Sequence, residues 1–222
     1  MSGRPLRIAV LVSGSGTNLQ AILDAVDAGL PATVTAVISN RPGVLALTRA
    51  ANHGVPAHVL DHTAYPDREA FDEALARLLD ELAPDLIVLA GFMRILGEDL
   101  VSRWQGRMLN IHPSLLPAWR GLHTHRRVLE AGEHWHGTSV HYVTAELDGG
   151  PVIAQSRIAI APDDTETSLQ RQIQTLEHRL YPQVIDWIAR GRLVLRNGTP
   201  ELDGKTLDRP VLETGNDHRE RA

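Results

Sequence analysis

The most constraining feature of the chain is the run Leu-Ile-Val-Leu-Ala from Leu86 to Ala90, which contains no polar side chain. A strand with one face in water alternates apolar and polar residues, so this run predicts a strand that helices cover on both faces. Similar apolar runs alternate with helical patterns through the first half of the chain. They predict strands at Ile8–Val12, Val34–Ile38, Ala57–Leu60 and Met108–Ile111. This alternation indicates βαβ units and a mostly parallel sheet flanked by helices.

The second half of the chain has a different pattern. Strands are predicted at Thr138–Val143 and Val152–Ile160, and only a turn region at Asp148-Gly149-Gly150 separates them, which favours antiparallel pairing. Thr165–Ala189 is predicted to form a long helix that Pro182 interrupts or kinks. We therefore expect one α/β domain with a mixed sheet over residues 1–212, and a flexible polar tail over residues 213–222.

Composition narrows the class of partner. The 222 residues are 43% hydrophobic and 22% charged, as in soluble globular proteins, and the net charge is -5. A negative net charge argues against general binding to nucleic acid or to anionic membranes, so we expect small-molecule partners. The absence of cysteine excludes disulfides and thiolate catalysis. No apolar stretch suits a signal peptide or a membrane span, which predicts a cytoplasmic protein. Both a monomer and a homodimer remain open.

An amide, an imidazole and a carboxylate are the best candidates for chemistry. Asn110 and His112 lie two residues apart on a predicted strand, so their side chains share one face. Pro113 and Pro117 end that strand just after the histidine, and ligands of open α/β sheets bind at such carboxyl ends. Asp148, in the later turn, is placed to join them. Two plainer interpretations stand beside this one: a structural histidine at a strand end, and an aspartate that only forms the turn.

A glycine-containing loop follows the first strand, reading Ser-Gly-Ser-Gly-Thr-Asn-Leu from Ser13 to Leu19. The free N–H groups at a helix start bind anions, which favours a monophosphate here. Dinucleotide binding is disfavoured, because the third glycine of its fingerprint is missing and the second strand ends without an acidic ribose ligand. The alternative is a tight turn in which Ser15 or Thr17 only caps the helix.

Six motifs occur together in one order, and as a set they are far more specific than any one of them. They are Ser13–Leu19, Ala90–Leu96, Asn110–Pro117, Gly121–His125, His136–His141 and Leu147–Pro151. With them the chain resembles the phosphoribosylglycinamide formyltransferase family over about Ile8 to Leu207. The resemblance implies a Rossmann-like formyltransferase fold. It also implies transfer of the formyl group of 10-formyltetrahydrofolate, a co-substrate, to the glycinamide amine of phosphoribosylglycinamide in de novo purine biosynthesis.

The resemblance also implies roles for individual residues. The catalytic residues are Asn110, His112 and Asp148. The residues that bind the phosphorylated substrate are Ser15, Gly16, Thr17, Asn18, Gln174 and Glu177. The residues that bind the folate are Arg68, Met93, Arg94, Ile95, Leu96 and Asn110. For Arg68, Gln174 and Glu177 the alternative is an ordinary solvated position on a helix.

One local departure raises a rival assignment. The family usually has an aromatic residue, proline and glycine where this chain has Trp119-Arg120-Gly121, a pattern that resembles methionyl-tRNA formyltransferase. The following residues through His125 do not fit that relative, and the chain lacks room for its carboxy-terminal tRNA-binding domain. A formyltetrahydrofolate hydrolase shares the three catalytic residue types, but that family carries an amino-terminal regulatory region that we do not expect in this chain. A nucleotide-sensing module without turnover should lack an acid/base residue, and here all are present.

Other histidines suggest a metal site at first sight. They are His123, His125, His134, His136 and His141. No carboxylate stands at a spacing that completes a recognised site, so we expect no metal.

The expected mechanism uses the three catalytic candidates instead. Asn110 and His112 donate hydrogen bonds to the oxyanion of a tetrahedral intermediate, and Asp148 keeps His112 protonated. His112 then passes a proton to the departing folate nitrogen, directly or through water.

Overall fold

The computed structural model describes residues 4–214 and contains two sheets with helices around them. The strands are β1 Leu6–Val12, β2 Ala32–Ser39, β3 Ala57–Val59, β4 Leu86–Leu89, β5 Met108–His112, β6 Trp135–Tyr142, β7 Val152–Ala159, β8 Leu193–Arg196, β9 Thr199–Leu202, β10 Lys205–Thr206 and β11 Val211–Thr214. The helices are α1 Thr17–Asp27, α2 Leu45–Asn52, α3 Arg68–Leu82, α4 Glu98–Arg103, α5 Thr124–Glu130 and α6 Glu166–Ala189, with a 3₁₀ turn at His62–Ala64.

The larger sheet has eight strands in the order β11-β7-β6-β5-β4-β1-β2-β3. From β1 the chain adds β2 and β3 on one side, then returns to add β4 and β5 on the other, all in parallel. Strand β6 is antiparallel to both β5 and β7, so the predicted mixed sheet is confirmed. The reversal of strand order between β1 and β4 is a topological switch point, where open α/β sheets form a crevice for ligands.

Side chains of the central strands pack on both faces of this sheet. In β1, Ile8 and Val10 join a core under α1 and α6, whereas Leu11 joins a second core under α3. All four residues of β4 are buried, with Leu86 in the first core and Ile87 in the second. The prediction of a strand covered on both faces is therefore confirmed.

Helix α6 crosses one face of the sheet and fixes its centre. Tyr181 of this helix is fully buried, and its hydroxyl lies 3.0 Å from the Leu89 carbonyl oxygen and 3.1 Å from that of Leu109. The helix is continuous from Glu166 to Ala189 with Pro182 inside it, so Pro182 does not interrupt the helix. Proline removes one N–H from the helix, and the packing of a long buried face keeps the rest together.

The carboxy-terminal part differs from expectation in two places. A separate three-stranded antiparallel sheet, β8 to β10, follows α6. Strand β11 then pairs in parallel with β7, placing Glu213 opposite Ser156, so the first two residues of the predicted tail belong to a strand. Ladder hydrogen bonds to an edge strand order such residues in spite of their polarity. Residues 215–222 of that tail lie outside the described residues.

We expect Tyr181→Phe to lower the free energy of unfolding by about 1–2 kcal/mol, because two buried carbonyls lose a shared donor while the ring volume is kept. Urea unfolding measures the difference. The control is Tyr65→Phe, at a partly buried tyrosine whose ring meets Phe71 edge-on. Equal losses in the two variants would contradict a special role for the Tyr181 hydroxyl.

Candidate active site

Three segments meet at the carboxyl edge of the sheet, because β1, β4 and β5 are neighbours and run in parallel. These are the glycine loop after β1, the segment after β4, and the end of β5. Ser13 ties the first two together, since its hydroxyl accepts from the Met93 N–H at 2.8 Å and donates to Asn40 Oδ1 at 2.5 Å. The sheet thus places the predicted phosphate loop beside the predicted folate segment.

His112 and Asp148 lie together at this edge. The distance from His112 Nδ1 to Asp148 Oδ2 is 3.5 Å, and the two side chains are only 8% and 6% exposed. Asp148 has φ 49°, in the left-handed region that aspartate tolerates better than most residues. This backbone conformation directs the carboxylate toward the histidine. Asp148 therefore forms the turn and also lies beside His112, so the two interpretations of this residue are compatible.

Asn110 reaches Asp148 through a residue that the sequence did not single out as part of the trio. His141 stands opposite Asn110 in the β5–β6 register, and its Nε2 lies 3.2 Å from Asn110 Nδ2 and 3.8 Å from Asp148 Oδ1. Its Nδ1 donates to the Tyr142 carbonyl at 2.9 Å, and burial lowers the pKa of His141. The neutral ring then accepts from Asn110, which fixes the orientation of that amide.

The other ring nitrogen of His112 faces a loop. His112 Nε2 lies 3.0 Å from the Trp119 carbonyl oxygen, which can only accept, so Nε2 carries a proton. Trp119 has φ 59°, an unusual conformation for a large residue, and this conformation directs its carbonyl at the ring. Two residues on, the Gly121 N–H donates to Asp148 Oδ2 at 2.9 Å. Both nitrogens of His112 thus face oxygen acceptors.

The glycine loop ends in an uncapped helix start. Gly16 precedes α1 with φ 70°, and no side chain accepts from the first turn of the helix, so the capping alternative for Ser15 and Thr17 is wrong. A Cβ on Gly16 would lie 2.7 Å from the Ala46 Cβ, which requires glycine here. Arg49 Nε donates to the Ser15 carbonyl at 2.9 Å. The arrangement leaves N–H groups of a helix start available to an anion.

A buried carboxyl group links this loop to β5. Glu177 Oε2 accepts from Asn18 Nδ2 at 2.9 Å, and burial raises the pKa of Glu177 to about 7. The Thr138 hydroxyl also interacts with Glu177 and donates to the His112 carbonyl at 3.0 Å. The solvated-face alternative is therefore wrong for Glu177, whereas Gln174 is half-buried on the same helix.

The segment after β4 presents apolar side chains to solvent. Met93 is 59% exposed and Ile95 55% exposed, whereas Leu96 is buried. The Arg94 guanidinium lies 4.7 Å from the centre of the Phe71 ring.

Asp72 anchors the end of this segment from helix α3. The Asp72 carboxylate accepts from the Gly97 N–H at 2.6 Å, and burial raises the pKa of Asp72. The charges of Arg68 and Arg94 oppose this rise by lowering the pKa of Asp72, so the half-exposed Arg68 also lies near the segment.

The histidines considered for a metal do not form a cluster. Within residues 4–214 no group of three or more His, Asp or Glu side chains has the arrangement of a metal site. His125 Nδ1 instead lies 2.9 Å from His136 Nε2, and burial lowers the pKa of His136 to about 4. No helix in the same part of the chain is long and apolar enough to cross a membrane.

Comparison with known proteins assigns the family. The model of the family described as Formyl transferase matches residues 6–185, so the chain belongs to the formyl transferase family. The chain is 50% identical over 203 residues to phosphoribosylglycinamide formyltransferase of Escherichia coli (strain K12), covering 91% of this chain and 96% of the relative. The corresponding Haemophilus influenzae protein is 44% identical over 202 residues, with coverages of 90% and 95%.

Solved structures agree with this assignment. The phosphoribosylglycinamide formyltransferase of Coxiella burnetii superposes with a TM-score of 0.90 at 50% identity, covering 94% of this chain and 99% of that structure. A glycinamide ribonucleotide transformylase from Symbiobacterium toebii gives a TM-score of 0.87 at 46% identity, with coverages of 90% and 95%. The fold predicted from the sequence is therefore confirmed.

The buried carboxyl group leads to a prediction about pH. A carboxyl group whose pKa is raised on folding stabilises the folded state less as pH rises from its ordinary value of 4.5 to about 7. We expect Glu177→Gln to remove that pH dependence, so that the variant gains up to ~3 kcal/mol relative to the parent between pH 5 and pH 8. Urea unfolding at several pH values measures it.

The matched control is Glu130→Gln, at an exposed glutamate on α5. Its stability should follow the parent at every pH. The interpretation fails if Glu177→Gln also follows the parent across this pH range.

Proposed function

We propose that this chain transfers the formyl group of 10-formyltetrahydrofolate to the glycinamide amine of phosphoribosylglycinamide, a step of de novo purine biosynthesis. The observation that carries the proposal is the position of His112 and Asp148, 3.5 Å apart at the same sheet edge as an uncapped helix start. An acid/base pair beside an anion site suits a phosphorylated acceptor. The printed names of the similar proteins support the same reaction.

The phosphorylated substrate is assigned to the loop at the start of α1. Its phosphate accepts from the loop segment of Ser15, Gly16, Thr17 and Asn18. Asn18 Oδ1 is buried and, among the described residues, has no hydrogen-bond partner, so it is an acceptor that a substrate group can satisfy. Glu177 and Gln174 on α6 are assigned to the sugar, because Glu177 touches Asn18 directly.

The folate is assigned to the segment after β4. Exposed apolar side chains at Met93 and Ile95 offer a surface for the pterin, and the buried Leu96 belongs to the same core cluster as Phe71. The Arg94 guanidinium packs over the Phe71 ring. We therefore assign binding of the pterin to the backbone groups of this segment. Arg68, half-exposed at the start of α3, is assigned to the carboxylate tail of the folate.

Transfer requires one bond to form and one to break. The neutral amine attacks the formyl carbon, and the resulting oxyanion accepts hydrogen bonds from Asn110 and His112. The folate nitrogen gains a proton from His112, the bond between that nitrogen and the formyl carbon breaks, and the proton that the attacking amine loses restores the one His112 gave. We assign the donated proton to His112 Nε2, since its present partner is the Trp119 carbonyl while Nδ1 faces Asp148.

The acceptor is the most direct test of the reaction. We expect tetrahydrofolate to appear from 10-formyltetrahydrofolate only when phosphoribosylglycinamide is present, and an absorbance assay of the folate follows this. Equal production without the acceptor would overturn the proposal in favour of a hydrolase. Formylation of methionyl-tRNA in place of phosphoribosylglycinamide would overturn it in favour of the tRNA-directed relative.

The catalytic assignment predicts the behaviour of two variants. His112→Ala and Asp148→Ala should each lower kcat by about 10²- to 10³-fold, because a preorganised donor or its electrostatic partner is lost. Folate affinity, measured by fluorescence titration, should change little. His134→Ala is the control, because His134 is exposed and immediately precedes the first residue of β6. A kcat close to that of the parent in either catalytic variant would contradict the assignment.

A further inference from the structure

The segment Trp119-Arg120-Gly121 differs from the usual pattern of phosphoribosylglycinamide formyltransferases. Its backbone contacts both His112 and Asp148. The Trp119 carbonyl accepts from His112 Nε2 at 3.0 Å, and the Gly121 N–H donates to Asp148 Oδ2 at 2.9 Å. His112 ends β5, whereas Asp148 belongs to the connection between β6 and β7. One short segment thus joins two catalytic groups that are far apart in the chain.

Arg120 makes a second connection between the same two loops. Its guanidinium forms an ion pair and hydrogen bond with Glu146, two residues before Asp148. The backbone of Arg120 is itself fixed, since its carbonyl accepts from the Arg127 guanidinium at 2.7 Å. The same guanidinium lies 5.3 Å from the centre of the Trp119 ring. Arg120 is therefore held in place from helix α5 while it holds Glu146.

Glu146 is in turn packed onto the turn that carries Asp148. Its carbonyl accepts from the Gly149 N–H at 3.0 Å. A Cβ on Gly149 would collide with the Glu146 carboxylate, so the side chain lies directly over the backbone of the turn. Fixing the Glu146 side chain therefore fixes the turn as well.

We infer that Arg120 is a positioning residue for the transfer reaction, which acts through Glu146 to hold the Asp148 carboxylate against the His112 ring. The inference rests on the proposed function. Catalytic groups need their geometry set to about 0.5 Å, and the 3.5 Å contact between His112 and Asp148 joins the end of a strand to a turn between two other strands. The ion pair adds a second restraint on this turn, beside the hydrogen bond from Gly121 to Asp148.

The expected loss of activity is small, because the ion pair between Arg120 and Glu146 is partly exposed to solvent. The Arg120 side chain is 37% exposed and that of Glu146 is 66% exposed, and ion pairs of this kind contribute little energy each. We therefore expect Arg120→Gln and Glu146→Gln each to lower kcat by a factor of about two to five. The KM values for both substrates should stay within about twofold of the parent, because neither side chain belongs to the proposed binding segments.

Coupling between the two residues is the sharper measurement. The double variant Arg120→Gln/Glu146→Gln should be no slower than the slower single variant, since either change already breaks the pair. Arg120→Lys keeps a charge and should retain more activity than Arg120→Gln. The control is Arg126→Gln, which removes an exposed arginine paired with Glu130 on α5 and should leave kcat unchanged. Parental kcat in Arg120→Gln, or losses that simply multiply in the double variant, overturns the inference.

A readout without turnover separates this inference from the reaction itself. The Gly121 amide donates to Asp148, so its hydrogen exchange, followed by NMR, should be faster in Arg120→Gln and Glu146→Gln than in the parent or in Arg126→Gln. If the parent shows no acceptor-dependent formyl transfer, the proposed function fails while the exchange experiment still tests the restraint. Unchanged Gly121 exchange in both variants overturns the inference whatever the activity.

Discussion

The pairing of β5 with two different neighbours is the constraint on which the site depends. On one side β5 is parallel to β4, so its carboxyl end meets the ends of β4 and β1 at the switch in strand order. On the other side it is antiparallel to β6, which brings His141 opposite Asn110. Sheet hydrogen bonds on both sides leave β5 little freedom, and Tyr181 adds a contact from α6 to the Leu109 carbonyl. The polar side chains at its end are presented by a rigid element.

Burial shifts the pKa values of the ionisable groups around this strand in different directions. His141 has a lowered pKa, and as a neutral ring it can orient the Asn110 amide. Glu177 has a raised pKa and stands between the glycine loop and Thr138. His112, by contrast, has oxygen acceptors at both nitrogens, an arrangement that suits the protonated ring. The neutral His141 ring thus orients Asn110, while the Asp148 carboxylate and the Trp119 carbonyl hold the one imidazole to which we assign proton transfer.

Much of the fold and part of the site could be predicted because their signals are local. The apolar run at Leu86–Ala90 and the alternation on β5 depend only on neighbouring residues, and both predictions are confirmed. The sheet of β8 to β10 was missed although its signal is local: Asn197-Gly198 and Asp203-Gly204 form its two hairpin turns, and all four residues have positive φ. His141 was missed as a partner of Asn110, because recognising it needs the β5–β6 register. The contacts of Trp119 depend on a positive φ that no sequence pattern indicates for tryptophan.

The Gly149-Gly150 turn has a consequence for how this site can be altered. A Cβ on Gly150 would lie 1.8 Å from the Tyr142 carbonyl oxygen, so that position has no space for a side chain, whereas a Cβ on Gly149 would meet the exposed, flexible side chain of Glu146 and displace it. At Gly150 a substitution is therefore excluded by its volume, whatever the chemistry of the new side chain. Leu122, by contrast, is 64% exposed in the facing loop and can be exchanged without a steric penalty. Libraries that seek a new acceptor should therefore vary exposed positions such as Leu122 and keep Gly150, together with the Trp119 and Gly121 backbone groups that contact His112 and Asp148.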